Sequence, residues 1–400
     1  MSYIDRSHLM VNTIEIIDNN KCCACFACTN TCPKMCISMV KKSSGSLYPQ
    51  IDKNKCIQCG RCIKVCPALQ EMPASEPQKV FAAYSRDLSV RGLSTSGGVA
   101  TEIAKYTIKC GGVVYGAAMI GMEVRHIRVT SLDDIDKIQG SKYVHSHMHD
   151  IYKQIKSDLK QNILTVFIGT PCQIAGVSRY LNYIPDNLIL VDILCHGVSS
   201  LDCFLNGINL ESKKTISNVS FRDGNKYCLE GYDDKENLIF KTPYRASYWF
   251  NGFVEGYIFR ENCYSCKYSG KKRCSDITIG DFWGLINDYD ISKGVNFVSI
   301  NSDKGIEFWE IIHDKFEFEE RKIEDAIPFN HPLREPAGKP QYYDRFCKIY
   351  SKKGGERALI QAYPNKSLYI FLRRTIRKNK TIYKIVTELP LIGNKLKEYS

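Results

Sequence analysis

Two runs of cysteines near the N-terminus repeat one spacing, Cys-x2-Cys-x2-Cys-x3-Cys-Pro, and end at Pro33 and at Pro67. Three thiolates spaced two residues apart can bind three irons of one cubane cluster. The fourth thiolate lies too far along the chain and binds the other cluster. The spacing therefore predicts two [4Fe–4S] clusters. The predicted ligands of cluster one are Cys22, Cys25, Cys28 and Cys66, and those of cluster two are Cys56, Cys59, Cys62 and Cys32.

A zinc site and a disulfide framework are the alternatives for these runs. Zinc favours two cysteine pairs with a longer gap between them, and disulfides do not explain a triple spacing followed by proline. Over about residues 15–70 the chain resembles the bacterial-type ferredoxin. Cys23 and Cys36 fall outside the ligand spacing, so we expect small buried thiols there, although Cys23 could also be reactive because it adjoins a ligand.

Two apolar runs farther along the chain each lead into a cysteine. Ile163–Ile168 precedes Cys172, and Leu188–Leu194 precedes Cys195. Continuous apolar strands that alternate with helices indicate an α/β sheet. Ligands of such sheets bind outside the carboxyl ends of the strands, so both cysteines are expected to face one crevice.

Three more cysteines follow at ligand spacing: Cys263, Cys266 and Cys274. A fourth thiolate for this site must come from the sheet. We prefer Cys195, with Cys172 against another cofactor, but the spacing alone leaves the choice between the two open. A structural zinc knuckle is the alternative, and a third [4Fe–4S] cluster is favoured because the chain already carries two cluster motifs.

The loop Ser94-Thr95-Ser96-Gly97-Gly98 opens a segment whose apolar residues recur at helical spacing. Hydroxyls and N–H groups at a helix N-terminus suit a phosphate or the pyrophosphate of a nucleotide cofactor, although Ser and Thr are also ordinary helix caps. Lys142 could neutralise a phosphate or lie against a flavin, or it could be a solvated surface lysine. His196 could pass a proton or be a packed structural residue. No residue is assigned a catalytic role.

The composition is that of an ordinary globular chain, and 400 residues suffice for two or three domains of about 150 residues. The N-terminal segment is interrupted by charges and does not resemble a signal peptide, and no stretch approaches the ~20 apolar residues that span a bilayer. We therefore expect a cytoplasmic protein whose 19 cysteines stay reduced. Of the net charge of +12, +7 lies from Lys366 onward, so the basic character belongs to the tail and indicates no nucleic-acid partner.

Several elements must position these motifs. The sequence predicts an edge strand around Asn12–Ile17 and a small hairpin from Ile37–Val40 and Tyr48–Ile51. It further predicts antiparallel strands over 215–260 and a basic helix from Tyr363 onward.

Six motifs follow one another in the body. They are Ser-Thr-Ser-Gly-Gly at 94–98, Gly-Ser-Lys-Tyr-Val at 140–144, Gly-Thr-Pro-Cys-Gln-Ile-Ala-Gly at 169–176, Asp-Ile-Leu-Cys-His-Gly-Val at 192–198, Phe-Arg-Asp at 221–223, and Cys-x2-Cys with Asp-Ile-Thr-Ile-Gly-Asp-Phe-Trp-Gly within 263–284. Over roughly residues 78–340 this set resembles the coenzyme F420 hydrogenase/dehydrogenase beta-subunit family. The resemblance implies FAD and an iron–sulfur cluster. It adds Thr170, Cys172 and Gln173 to the expected cofactor-binding residues.

The resemblance also completes the predicted architecture, a multidomain chain of the α+β and α/β classes. A 2[4Fe–4S] ferredoxin domain at 1–72 precedes a beta-subunit N-terminal-like domain at 78–160 and a C-terminal-like domain at 161–340, which holds the flavin and third-cluster sites. A basic helical tail follows at 341–400.

The implied function is that of an iron–sulfur flavoprotein oxidoreductase. It would transfer electrons between coenzyme F420, or an analogous conjugated substrate, and an external redox partner, because flavin joins two-electron to one-electron chemistry. The alternative is an electron-transfer adaptor subunit without a substrate of its own. Expected partners are an electron donor or acceptor protein and a small-molecule hydride donor or reducible substrate. The basic tail could contact a partner or a membrane surface.

Overall fold

The structure, a computed structural model, describes residues 12–42, 44–223, 226–285 and 293–378. Its strands are β1 Ile37–Lys41, β2 Leu47–Ile51, β3 Lys79–Ser85, β4 Val113–Ile120, β5 Glu123–Val129, β6 Thr165–Gly169, β7 Leu188–Ile193, β8 Asn218–Asp223, β9 Lys226–Tyr232, β10 Leu238–Pro243, β11 Ile277–Asp281, β12 Asn296–Ile300 and β13 Phe316–Glu320. Its α-helices are α1 Ala27–Thr31, α2 Arg61–Lys64, α3 Leu88–Leu93, α4 Val99–Lys109, α5 Ile135–Ile138, α6 Ile151–Lys160, α7 Pro171–Leu181, α8 Leu201–Glu211, α9 Tyr248–Val254, α10 Asp303–Ile312, α11 Ile323–Ala326, α12 Tyr343–Lys353, α13 Gly355–Gln361 and α14 Pro364–Lys378.

The N-terminal part has the expected ferredoxin-like arrangement. Strands β1 and β2 form an antiparallel hairpin with Ile37 opposite Ile51, as predicted. Helices α1 and α2 begin inside the two cysteine runs, and the residues before them both have left-handed backbones, with φ of 67° at Phe26 and 69° at Gly60. The two halves therefore repeat in backbone conformation as well as in cysteine spacing.

The predicted edge strand around Asn12–Ile17 is wrong. Ile14–Ile16 is a short 3₁₀-helix. Ile14 is 2% exposed and packs among the apolar residues around the cysteines, whereas Ile16 is 48% exposed. One turn of 3₁₀-helix that buries Ile14 therefore accounts for the apolar and polar alternation that predicted a strand.

An eight-stranded sheet forms the centre of the body, in the order β13-β3-β12-β11-β7-β6-β4-β5. Strands β4, β6, β7 and β11 are parallel to one another, and antiparallel strands flank them. The two apolar runs predicted as parallel strands are confirmed as the neighbours β6 and β7. Strands from both sides of residue 160 join this sheet, so both predicted body segments contribute to it.

Helices cover both faces of the sheet. On one face, α4 and α10 bury Ile103 and Trp309 against the strands. On the other face, α6 and α7 bury Tyr152 and Ile174, and Phe26 from the first cysteine run packs into the same core. The first ferredoxin loop is therefore part of the body's core and is not a freestanding appendage.

A second, three-stranded antiparallel sheet has the order β10-β9-β8 and lies within the region predicted as antiparallel strands. Helix α9 also occurs in that region and was not predicted. It buries Trp249 and Phe250 against α8 and the small sheet. The aromatic residues in these loops thus form a core of their own.

The basic helix predicted from Tyr363 onward is α14, which packs against the body. Arg374 in this helix forms an ion pair with the buried Glu211 at 3.0 Å. Residues 379–400 of the predicted tail lie outside the described residues. Within the described residues, every helix is too short or too polar to cross a bilayer.

Candidate functional site

A cavity of about 510 Å³ lies at the carboxyl ends of β6 and β7, where the sequence predicts a cofactor crevice. Most of the predicted cofactor-binding residues line it: Ser94, Thr95, Ser96, Gly98, Lys142, Thr170, Gln173 and His196. The two others lie elsewhere, because Cys172 lines a neighbouring cavity and Gly97 packs against the sheet.

The N-terminus of α4 faces this cavity. Gly98 precedes the helix with a φ of +88°, which favours glycine, and the Val99 N–H donates to Asn296 Oδ1 at 3.1 Å. A Cβ atom at Gly97 would lie 2.5 Å from the Ala83 oxygen, so this glycine permits a close approach between loop and sheet. The hydroxyls and the helix N-terminus together form a suitable phosphate site.

Lys142 lies on a second loop of the wall. A hydrogen bond of 3.0 Å between Thr95 Oγ1 and Ser141 Oγ ties this loop to the first, and Lys142 Nζ donates to the Gln139 oxygen at 2.6 Å. Burial lowers the pKa of Lys142 to about 7, because desolvation disfavours the charged ammonium. An anion in the cavity would favour the charged form again.

Two residues of the first helix turn after β6 have different roles. The Thr170 N–H donates to Gln173 Oε1 at 3.0 Å in a capping box, so the Gln173 side chain holds the start of α7. Both residues still border the cavity, but the amide of Gln173 is already engaged. The Thr170 hydroxyl is engaged too, since it donates to Gln173 Oε1 at 3.1 Å and lies 3.2 Å from Cys172 Sγ.

Arg222, Tyr227 and His126 line the cavity but are absent from the predicted set. The Arg222 guanidinium lies 3.8 Å from the centre of the Tyr227 ring and forms an ion pair with Asp281 at 3.1 Å. His126 Nε2 is 3.0 Å from the Ile168 oxygen, and burial lowers the pKa of this ring to about 4. The Phe-Arg-Asp motif contains Arg222, but no spacing rule pairs it with a carboxylate 59 residues away.

Four body cysteines line a second cavity beside the first: Cys172, Cys195, Cys263 and Cys266. Burial raises the pKa of Cys263 to about 12, and the neighbouring Cys266 thiol adds to the shift. Four partly buried thiols that border one cavity suit an iron–sulfur cluster. Structural zinc needs its ligands closer together, and no three of these four sulfur atoms lie within 4.8 Å of one another.

Cys274 lies outside this set. It borders a further cavity of about 420 Å³ together with the Asp192 carboxylate. Burial raises the pKa of Cys274 to about 12, and the nearby carboxylate adds to the shift. The sequence favours Cys195 and Cys274 with the Cys263/Cys266 pair, whereas the structure gathers Cys172 and Cys195 with that pair.

The cavity of about 510 Å³, which we call the large cavity, shares a wall with the cavity lined by Cys172, Cys195, Cys263 and Cys266, which we call the body cysteine cavity. Seven residues border both: Thr170, Cys195, His196, Gly197, Val198, His331 and Pro332. His196 Nε2 lies 3.2 Å from the Val254 oxygen, and burial lowers the pKa of the ring. His196 is therefore a neutral, anchored residue of the shared wall.

The predicted ligands of cluster one come together in the ferredoxin part. Cys22, Cys25, Cys28 and Cys66 border one small cavity. None of the four is more than 8% exposed. Cys23 borders both this cavity and the body cysteine cavity, and its thiol interacts electrostatically with that of Cys172. The two sites are therefore next to each other.

The predicted ligands of cluster two also converge, since Cys32, Cys56, Cys59 and Cys62 border one cavity. Cys36, expected as a small buried thiol, is buried but borders it too, and its Sγ lies 3.4 Å from Cys32 Sγ. Cys28 and Cys62 belong to one buried cluster, so the two ferredoxin sites adjoin. Cys59, in contrast, is exposed. The four sites thus form a row from the large cavity to the surface.

Comparison with protein families gives three matches. Residues 80–153 match the N-terminal domain of the beta subunit of coenzyme F420 hydrogenase/dehydrogenase, and residues 164–326 match the C-terminal domain of the same protein. Together these two cover more than half of the chain. Residues 48–71 match a 4Fe-4S binding domain.

Comparison with curated proteins gives no match. Among solved structures, one match is a chain from "Xenon derivatization of the F420-reducing [NiFe] hydrogenase complex from Methanosarcina barkeri". It is 18% identical, and the alignment covers 77% of this chain and 94% of that chain with a TM-score of 0.45.

Proposed function

Because the chain belongs to the coenzyme F420 hydrogenase/dehydrogenase beta-subunit family, we propose that it is an iron–sulfur flavoprotein oxidoreductase. It transfers electrons between coenzyme F420, or an analogous conjugated substrate, and an external redox partner. The observation that carries this proposal is the row of adjoining sites, in which Cys195–Val198 separate the large cavity from the body cysteines and Cys23 joins those cysteines to the first ferredoxin site.

The large cavity is proposed to hold FAD, which supplies the exchange between two-electron and one-electron transfer. The Ser94–Gly98 loop and the N-terminus of α4 would bind its pyrophosphate, and Lys142 would neutralise part of the charge. Arg222 and Tyr227 offer a cation and an aromatic face in the same wall. Burial lowers the pKa of His126 to about 4 and also lowers that of His196, so both rings line the cavity in their neutral form.

Three [4Fe–4S] clusters are proposed. In the ferredoxin domain we keep the predicted assignment, in which each run supplies its fourth cysteine to the other cluster. In the body we propose Cys172, Cys195, Cys263 and Cys266 as ligands, so Cys172 replaces Cys274 in the predicted set. The support is that these four thiols border one cavity and Cys274 borders another.

The experiment is anaerobic purification of the full chain with flavin, iron and sulfide quantified, followed by mixing with reduced F420. We expect one flavin and about twelve irons per chain, and reduction of the clusters at the rate at which reduced F420 is consumed. Iron and sulfide without flavin would overturn the oxidoreductase and favour the alternative, an adaptor that passes electrons within a larger complex.

Partners and location are proposals of the same kind. Reduced thiols in this number suit the cytoplasm. The tail helix exposes Leu368, Phe371 and Leu372 beside basic residues, which supports its role as a contact surface for a partner or a membrane.

A further inference from the structure

The second ferredoxin site reaches the surface, because Cys59 is the one exposed thiol among the predicted cluster ligands. Cys59 is exposed, whereas the four thiols of the first site are buried. It is also the last site in the row that begins at the large cavity. Electrons that enter or leave the protein through the clusters would therefore cross the surface around Cys59.

Two large apolar side chains flank this exposed cysteine. Ile57 is 59% exposed and Met35 is 79% exposed. Both belong to the two cysteine runs, and Ile57 borders the cavity with Cys59 itself. Unpaired apolar side chains of this size at a functional site are typical of the centre of a protein interface.

Exposed basic side chains lie in the same segments as this apolar centre, and Lys34 and Arg61 border the cavity with Ile57 and Cys59. We call the "exit face" the surface formed by Met35, Ile57 and Cys59 with the exposed cations Lys34, Lys53, Lys55, Arg61 and Lys64. The exposed carboxylates of residues 12–64 are Glu15, Asp18 and Asp52. Asp18 pairs with Lys21 at 3.1 Å, and Asp52 pairs with Lys55 at 3.2 Å. Among the described residues, the other four cations of the exit face have no carboxylate within ion-pair distance. The exit face is therefore strongly positive around an apolar centre.

We propose that the exit face docks an acidic one-electron carrier protein, of the ferredoxin kind. This inference rests on the proposed function and names its partner. In each encounter one electron passes between the second cluster and the carrier, so one centre is oxidised as the other is reduced. Two encounters balance one two-electron hydride. Opposite charge steers the encounter, and the apolar centre brings the carrier close to the cluster.

The test uses the full chain, reduced with dithionite and freed of excess reductant. Mixing with an oxidised acidic ferredoxin should give a second-order rate that falls steeply as salt increases. The charge-reversal pair Lys34→Glu/Arg61→Glu should lower that rate about tenfold or more at low salt and remove most of its salt dependence. The pair Lys109→Glu/Lys160→Glu, at exposed positions of the body, is the matched control and should keep the wild-type rate.

Two further measurements distinguish a loss of docking from a loss of the cluster. Iron content and oxidation by menadione, a neutral quinone, are measured in every variant and should stay at wild-type levels in Lys53→Glu. Because Lys34 and Arg61 border the cluster cavity, Lys53→Glu repeats the test away from it, with a smaller loss expected. A wild-type ferredoxin rate in iron-replete charge variants would overturn the proposal, and so would faster oxidation by a basic cytochrome than by the acidic ferredoxin. Since dithionite supplies the electrons, either result leaves the flavin and substrate proposals untouched.

Discussion

The Nη2 atom of Arg260 lies 3.0 Å from the main-chain oxygen of Cys22. Arg260 belongs to the body and is 1% exposed, whereas Cys22 opens the first cysteine run. The same nitrogen also donates to the Leu47 oxygen at 3.0 Å. One buried guanidinium thus connects the loop of cluster one and the ferredoxin hairpin to the segment that carries Cys263.

The first prediction concerns this connection. Arg260→Met should lower the free energy of unfolding by about 1.5–3 kcal/mol, because charge-assisted hydrogen bonds are lost and two buried carbonyls are left unpaired. Thermal unfolding of the anaerobic holoprotein measures the change. The exposed Arg357→Met is the control and should stay within about 0.5 kcal/mol of wild type. Equal effects of the two variants would contradict a structural role for Arg260.

A second prediction concerns Gly176, where helix α7 meets the first cysteine run. A Cβ atom there would lie 2.5 Å from Tyr152 Oη and 2.9 Å from Cys25 Cβ, and Tyr152 Oη donates to the Cys25 oxygen at 2.6 Å. Gly176→Ala should therefore cost about 1–3 kcal/mol by overpacking and alter the electron paramagnetic resonance signal of cluster one. Gly338→Ala, where a Cβ meets no atom within 4 Å, is the control. An unchanged signal in Gly176→Ala would show that the contact does not position Cys25.

The third prediction separates the two candidate ligands of the body cluster. Cys172→Ala should remove about four irons per chain, along with the spectroscopic signal of one cluster. Cys274→Ala should retain the full iron content, since Cys274 borders a different cavity. Iron analysis and electron paramagnetic resonance of the two anaerobic proteins give the answer. Loss of iron in Cys274→Ala alone would restore the ligand set that the sequence favours.

The sequence predicted which ferredoxin cysteines come together, because local spacing brings three thiols of each run to one place. Cys22, Cys25 and Cys28 need only one short loop to converge. The same holds for β6 and β7, whose apolar runs are long enough to identify as buried strands. Local rules were therefore sufficient for these features, although they failed for Ile14–Ile16, which is a 3₁₀-helix and not a strand.

The body cluster was harder to predict because its cysteines come from distant segments. The choice between Cys172 and Cys274 depends on how α7 and the loop before β11 pack, and no spacing encodes that packing. Arg222 and Asp281 meet across 59 residues for the same reason. The packing of Phe26 into the body core was also not predicted, because it joins the first cysteine run to helices more than 100 residues away.

The last prediction concerns the pH dependence of flavin binding. The pKa of Lys142 is about 7 in the free cavity, so its ammonium is charged at pH 6 and mostly neutral at pH 8.5. The pyrophosphate of FAD keeps its charge over this range, and the loss of one charged contact should weaken binding about tenfold. Quenching of FAD fluorescence by the flavin-free protein measures the dissociation constant at each pH. Lys142→Arg should bind with one affinity throughout, and Lys142→Met should bind weakly throughout. Without FAD, the stability of the protein has the opposite pH dependence. Between pH 7 and about 10, Lys142 carries a proton in the unfolded chain that it lacks in the folded chain. The free energy of unfolding should therefore rise with pH relative to that of Lys142→Met. A wild-type binding curve that parallels that of Lys142→Met would exclude Lys142 as the titrating group.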